Sequence, residues 1–161
     1  MVIVLMGPAG AGKSTIGSAL AAELGWRFVD GDDHHPRANV EKMRRGQPLT
    51  DTDRESWLCT LHAAIARAID RREHTVVACS ALKDSYRRTL AGGLKPVRFA
   101  YLKAPETVLR ERLASRTEHF AGPALLASQL ATLEEPCEAI ELDATASPAG
   151  IIATLRRELG V

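Results

Sequence analysis

The chain of 161 residues has little of several things, and each shortage removes a class of protein. It has three cysteines, Cys59, Cys79 and Cys137, an odd number without C-x-x-C spacing. That pattern argues against a disulfide framework or a zinc site and for reduced thiols in a cytoplasmic protein. Charge of either sign is not in excess: 21 Lys and Arg against 20 Asp and Glu leave a net +1. No broad field therefore favours nucleic acid or an acidic membrane. Long apolar runs are missing too. Val2-Ile3-Val4-Leu5-Met6 is far too short to span a bilayer, and the glycine-rich stretch directly after it marks it as a strand rather than a signal peptide. Internal repeats, low-complexity tracts and linkers are also lacking, and the length suits one domain with a real core, residues 1–161.

That glycine-rich stretch is Gly7-Pro8-Ala9-Gly10-Ala11-Gly12-Lys13-Ser14, which reads G-x-x-x-x-G-K-S between a buried strand and a helix beginning near Thr15. This is the phosphate-binding P-loop in its proper context. Glycines let the backbone approach a polyphosphate and turn N–H groups inward, and the helix N-terminus adds positive dipole. Gly7, Ala9, Gly10, Ala11, Gly12, Lys13, Ser14 and Thr15 are the nucleotide-binding candidates, with Lys13 reaching the β- and γ-phosphates and Ser14 ligating Mg²⁺. The expected ligand is ATP with Mg²⁺.

Strand and helix patterns alternate along the rest. Arg27-Phe28-Val29, Thr75 to Cys79, Val97 to Leu102 and Ile140 to Asp143 read as strands. Glu55 to Arg71 reads as a helix through Leu58, Leu61, Ile65 and Ile69. Another is expected from Pro105, in its first turn, through Leu113, and a last one from Pro148 to Leu159. Repeated β-then-α order predicts an α/β fold of three layers, a mostly parallel five-stranded sheet between helices, with ligands at the strands' C-terminal ends.

That rule directs attention to the segments after each strand. After the second comes Asp30-Gly31-Asp32, where extended spacing would project two carboxylates the same way. One could hold Mg²⁺ while the other accepts the proton of an acceptor hydroxyl; Asp30 is taken for the metal and Asp32 for the proton. The third strand ends in Cys79-Ser80 instead of the usual metal-binding aspartate, so the metal needs carboxylate help from Asp30 or Asp32. His34 and His35 are adjacent and lack one-face spacing, which argues against a histidine metal site. Trp26 and Trp57 read as packing aromatics.

The segment Asp30-Gly31-Asp32-Asp33-His34-His35-Pro36-Arg37-Ala38-Asn39, then Gly46-Gln47-Pro48-Leu49-Thr50-Asp51-Thr52-Asp53-Arg54 and Trp57-Leu58, resembles the signature of the gluconate kinases, in the shikimate-kinase-like branch of P-loop kinases. Cys79-Ser80-Ala81-Leu82-Lys83 with Tyr86-Arg87, Arg112 and Arg116 with His119-Phe120, Ser128-Gln129 and Leu133-Glu134-Glu135-Pro136 extend the resemblance over nearly the whole chain. It departs at Glu118, where the family typically has glycine, and at Ala121, which replaces a bulkier residue. The resemblance implies transfer of the γ-phosphoryl group of ATP to the 6-hydroxyl of D-gluconate, in a cytoplasmic homodimer.

Gluconate is a polyhydroxylated anion, so its site needs a cation for the carboxylate and short polar groups for the chain. Arg54 resembles the arginine that holds the carboxylate in shikimate kinases; pairing with Asp51 and Asp53 is the competing account. Lys83 and Arg87, four apart on one face of the helix after the third strand, could hold that carboxylate instead, with Ser80 at the strand end. His35 is expected to donate to a substrate hydroxyl or brace its loop, and His119 joins the substrate candidates. Arg112 and Arg116 lead into a lid, approximately residues 112–125, where they would close over the triphosphate and stabilise charge on the moving phosphoryl group. Two alternatives keep part of this reading: the same fold acting on shikimate, a related aldonate or a nucleoside monophosphate, and a non-catalytic nucleotide-binding module.

Overall fold

A computed structural model describes residues 1–115 and 123–161. Five strands form one wholly parallel sheet in the order β2-β3-β1-β4-β5. They are β1 Val2–Met6, β2 Arg27–Asp30, β3 Thr75–Ala78, β4 Val97–Lys103 and β5 Ile140–Asp143. Parallel neighbours need crossover connections, which the helices supply: α1 Lys13–Leu24, α2 Arg37–Arg44, α3 Asp51–Asp70, α4 Asp84–Ala91, α5 Glu106–Ala114, α6 Pro123–Thr132 and α7 Pro148–Leu159.

β1 is central and solvent-free, so every residue in it is apolar. The period-two pleat sends Ile3 and Leu5 to one face, against Ile16 and Leu20 of α1, Leu109 of α5 and Ile151 and Leu155 of α7. Val2, Val4 and Met6 point to the other face, against Trp57, Leu61 and Ile65 of α3 and Leu90 of α4. These two cores fix the three layers and leave the strands' C-terminal ends as the open edge.

Several boundaries move from the sequence expectation, each for a local reason. α1 starts at Lys13 and not near Thr15, because Gly12 takes the left-handed cap position, φ 95°. α3 starts at Asp51 rather than Glu55: Thr50 accepts from the Asp53 N–H, and the Asp53 carboxylate accepts from the Thr50 N–H, closing a capping box. Pro105 is the N-cap of α5 and so precedes its first turn. α2 and α6 are additions to the expected elements, and a 3-10 turn occupies Gly31–His34. The helix at α7 runs as expected, with Pro148 in its first turn and the Ser147 side chain capping Gly150.

Candidate active site

The open edge holds a cavity of about 570 Å³. One side is the P-loop, contributing Ala9, Gly10, Gly12, Lys13, Ser14 and Thr15. Asp30, Asp32, His35, Arg54, Trp57 and Ser80 form much of the rest. Most candidates separated by tens of residues in sequence thus meet in one space.

Gly7 and Gly10 hold backbone angles that other residues rarely adopt, φ 142° and 83°. A Cβ on Gly7 would sit 2.8 Å from the Leu102 carbonyl oxygen, so the loop can lie against β4 only with glycine there. Lys13 is the first residue of α1, and its ammonium donates to the Pro8 carbonyl at 3.0 Å. The Ala9 N–H donates to Gln129 Oε1 on α6 at 2.7 Å.

The Asp30-Gly31-Asp32 segment is not extended, which corrects the sequence expectation. Asp30 ends β2 and caps the 3-10 turn, its Oδ1 accepting the Asp32 N–H at 3.0 Å. Local side-chain bonding of this kind is what makes aspartate a turn residue. The backbone must pass close to β3 at Gly31, where a Cβ would meet the Ala78 carbonyl oxygen at 2.5 Å. Both carboxylates still line the cavity. Trp57 is a packing residue that also walls the site: its indole N–H donates to the Gly31 carbonyl at 2.7 Å, and His35 stacks on it at 4.2 Å. Burial, and then the Arg54 guanidinium, push the His35 imidazole down to about 4, so it is neutral near pH 7. Asn39 also touches the ring, at 3.4 Å from Nδ1.

Arg54 lies in the first turn of α3 and is buried, 7% exposed. The neighbouring aspartates are engaged elsewhere. Asp51 accepts from Lys83 at 2.8 Å and from the Tyr86 hydroxyl, and Asp53 accepts from Lys42 at 2.7 Å. Arg54 donates to the Leu49 carbonyl at 2.5 Å and to Tyr86 Oη at 3.4 Å, and stacks over that ring at 5.6 Å. Among the described residues, no carboxylate stands within ion-pair distance of it. A buried cation held only by neutral groups, facing a cavity, suits an anionic ligand.

Lys83 and Arg87 do not share a helix face, a second correction: Lys83 is the N-cap of α4, one residue before it. Neither lines the cavity. Arg87 is buried and donates to the Ala81 and Leu82 carbonyls at 3.0 and 3.2 Å, bracing a turn in which Ala81 has φ 44°. Ser80 does line the site, and its carbonyl accepts the Gly7 N–H. Cys79 before it is fully buried, and burial pushes its thiol up to about 12, which makes it a poor metal ligand.

Arg112 lies on α5, packed beside a smaller cavity of about 290 Å³ with Gly10, Ala11, Gly12, Thr15, Ser115 and Ala144. It donates to the Ala144 carbonyl at 2.8 Å and reaches the Gly10 carbonyl at 3.5 Å. That cavity flanks the P-loop away from Asp30 and Asp32, which line the larger one. Arg116 and His119 lie outside the described residues, as does the middle of the expected lid, residues 116–122. Tyr86, Asn39 and Gln129 were missed as site residues, though each stands in a segment that carries the family resemblance.

A parallel sheet, a P-loop over its central strand and a carboxylate-bearing cavity at the same edge define a P-loop kinase. A family model described as "AAA domain" matches residues 2–136. A gluconokinase of Gluconobacter oxydans is 47% identical over 134 residues, 83% of this chain and 75% of that protein. The thermoresistant gluconokinase of Escherichia coli K12 is 42% identical over 84% of this chain and 77% of its own length. A solved gluconokinase from Sinorhizobium meliloti superposes with a TM-score of 0.85 at 42% identity, covering 99% of this chain and 91% of the other. The chain belongs to the gluconokinase family.

Proposed function

We propose that the chain transfers the γ-phosphoryl group of ATP to the 6-hydroxyl of D-gluconate, giving 6-phosphogluconate and ADP. The observation that carries this is the single cavity joining the P-loop to an arginine with no carboxylate partner among the described residues. ATP lies with its base toward the Arg112–Ala144 side and its triphosphate over the Gly7–Thr15 backbone amides and Lys13. Gluconate fills the larger cavity, its carboxylate on Arg54 and its hydroxyls near His35 and Ser80. His35 is neutral, and because its Nδ1 faces the Asn39 amide nitrogen, a donor, the ring proton sits on Nε2 and is offered to a hydroxyl without competing with Arg54 for the anion.

Transfer is an in-line displacement. The 6-hydroxyl oxygen forms a bond to Pγ as the bond from Pγ to the β,γ-bridging oxygen breaks, and the hydroxyl proton passes to Asp32. Lys13 offsets charge on the β- and γ-oxygens. The hydroxyl of Ser14 and the carboxylate of Asp30, hard oxygen donors on the same cavity, fit Mg²⁺. When bound, the ion neutralises phosphate charge that builds on the leaving group. Arg116 and His119 stay with the proposal as residues of the closing segment.

Acceptor-dependent ADP release in a coupled assay tests the reading, with gluconate, other aldonates, shikimate and nucleoside monophosphates offered in turn. Turnover with gluconate and its loss in Lys13→Ala is the expected result. Turnover with another acceptor alone would overturn the substrate, and near-normal rates in Lys13→Ala would overturn the phosphate clamp. Among the described residues no helix is long and apolar enough to cross a membrane. A cytoplasmic homodimer is the accompanying proposal, and sedimentation of the purified protein measures its second half.

A further inference from the structure

Gln129 stands in none of the roles above, yet among the described residues it makes the one side-chain hydrogen bond that reaches a P-loop amide. That bond joins α6 to Ala9 across 120 positions of sequence. Its chemistry fixes the orientation of the carboxamide. A backbone N–H can only donate, so the atom 2.7 Å away is Oε1, and Nε2 with its two hydrogens is turned to the other side. Among the described residues Nε2 meets no acceptor within hydrogen-bond distance, and Gln129 lines the larger cavity.

The two cavities set the direction of the triphosphate. Gly10, Gly12 and Thr15 border both, whereas Ala9, Lys13, Ser14 and Gln129 border the acceptor cavity alone. A chain of phosphates entering from the Arg112 side therefore passes Gly10, Gly12 and Thr15 and ends in the acceptor cavity among Lys13, Ser14 and Ala9. We infer that Gln129 reads the γ-phosphoryl group: Oε1 anchors the carboxamide on Ala9, and Nε2 donates to a γ-oxygen. In this way α6 engages a triphosphate and not a diphosphate. The inference rests on the ATP reading of the P-loop and is independent of which acceptor is used.

Gln129→Glu separates this role from a simple brace. Glutamate keeps an acceptor for the Ala9 N–H but loses both donor hydrogens and places a negative charge at the γ-position. Titration calorimetry with Mg²⁺ and the β,γ-imido analogue of ATP, set beside ADP, supplies the readout. A hydrogen bond to a charged oxygen is worth roughly a tenfold change in affinity or more. The analogue should therefore bind Gln129→Glu at least tenfold more weakly than wild type, with ADP affinity and melting temperature nearly unchanged. Equal affinity for the analogue, or equal weakening for both nucleotides, would overturn the role and leave Gln129 a brace for the loop. Should the glutamate variant not fold, the same ratio in Gln129→Leu decides in the same way. A wild-type protein that binds neither nucleotide would instead overturn the ATP reading itself.

Discussion

Arg54 shows how far one side chain's surroundings decide its use. Asp53 and Asp51 before it are drawn to Lys42 and Lys83, which leaves the guanidinium to a carbonyl and a phenol at the cavity wall. Arg54→Ala should raise the gluconate KM by roughly 1.5–3 kcal/mol of lost charge-assisted bonding while the ATP KM changes little. Steady-state kinetics with each substrate varied in turn checks this, and an unchanged gluconate KM would remove Arg54 from the carboxylate. The carboxylate pair is separable at the same scale. Asp32→Asn keeps shape but loses the proton acceptor, so turnover should fall by roughly 10²–10⁴ at saturating Mg²⁺. Asp30→Asn retains an oxygen to cap the 3-10 turn, so the fold should persist and the Mg²⁺ needed for half-maximal rate should rise. Titrating rate against Mg²⁺ in both variants distinguishes them, and swapped phenotypes would exchange the roles.

At the scale of elements, the start of α3 matters because Arg54 and Trp57 both lie in its first two turns. Twenty residues of helix are placed by one capping box at Thr50 and Asp53, and Lys42 of α2 ties the same Asp53. Thr50→Ala removes one arm of that box and should cost about 1 kcal/mol, read as a lower urea midpoint with unchanged slope. Because the cap also orients Arg54, the gluconate KM should rise with it. A variant with wild-type stability would show that tertiary packing alone sets this end of α3. The 3-10 turn after β2 is an element of the same kind, closed by Asp30, fitted to β3 by Gly31 and held down by the Trp57 indole.

For the molecule as a whole, the buried histidine makes stability depend on acid. His35 is held near 4 in the folded chain against an ordinary 6.5, so the unfolded chain takes up a proton first. Stability is fully present above pH 6.5 and falls as pH drops through the window from 6.5 to 4. Asp53, lowered to about 2 by its bonds to Lys42 and Thr50, adds a loss in the same direction between 3.8 and 2. His35 faces Asp32, Asn39, Trp57 and Arg54. Urea unfolding at pH 7, 5.5 and 4.5 should show the decline, and His35→Gln should flatten it. An equally steep decline in that variant would place the acid sensitivity elsewhere.

Local sequence was enough for the P-loop, five strands near their observed limits, the parallel α/β architecture and a family signature spanning the chain. Each is written in local terms: residue spacing, apolar runs, and glycines where the backbone must turn. Lys13, Ser14, Asp30, Asp32, His35, Arg54 and Ser80 stand around one cavity, as their positions after successive strands of a parallel sheet require. The partnering of charges was not legible in this way. Nothing local says that Asp51 would go to Lys83 and Tyr86, 32 and 35 positions away, or that Arg87 would spend itself on a buried turn. Nor does spacing say that Asp30 would bond its own loop instead of extending, or that Gln129 would reach Ala9. Ion pairs and hydrogen bonds are decided by which groups the packed core brings within about 3 Å, and that distance is a property of the fold.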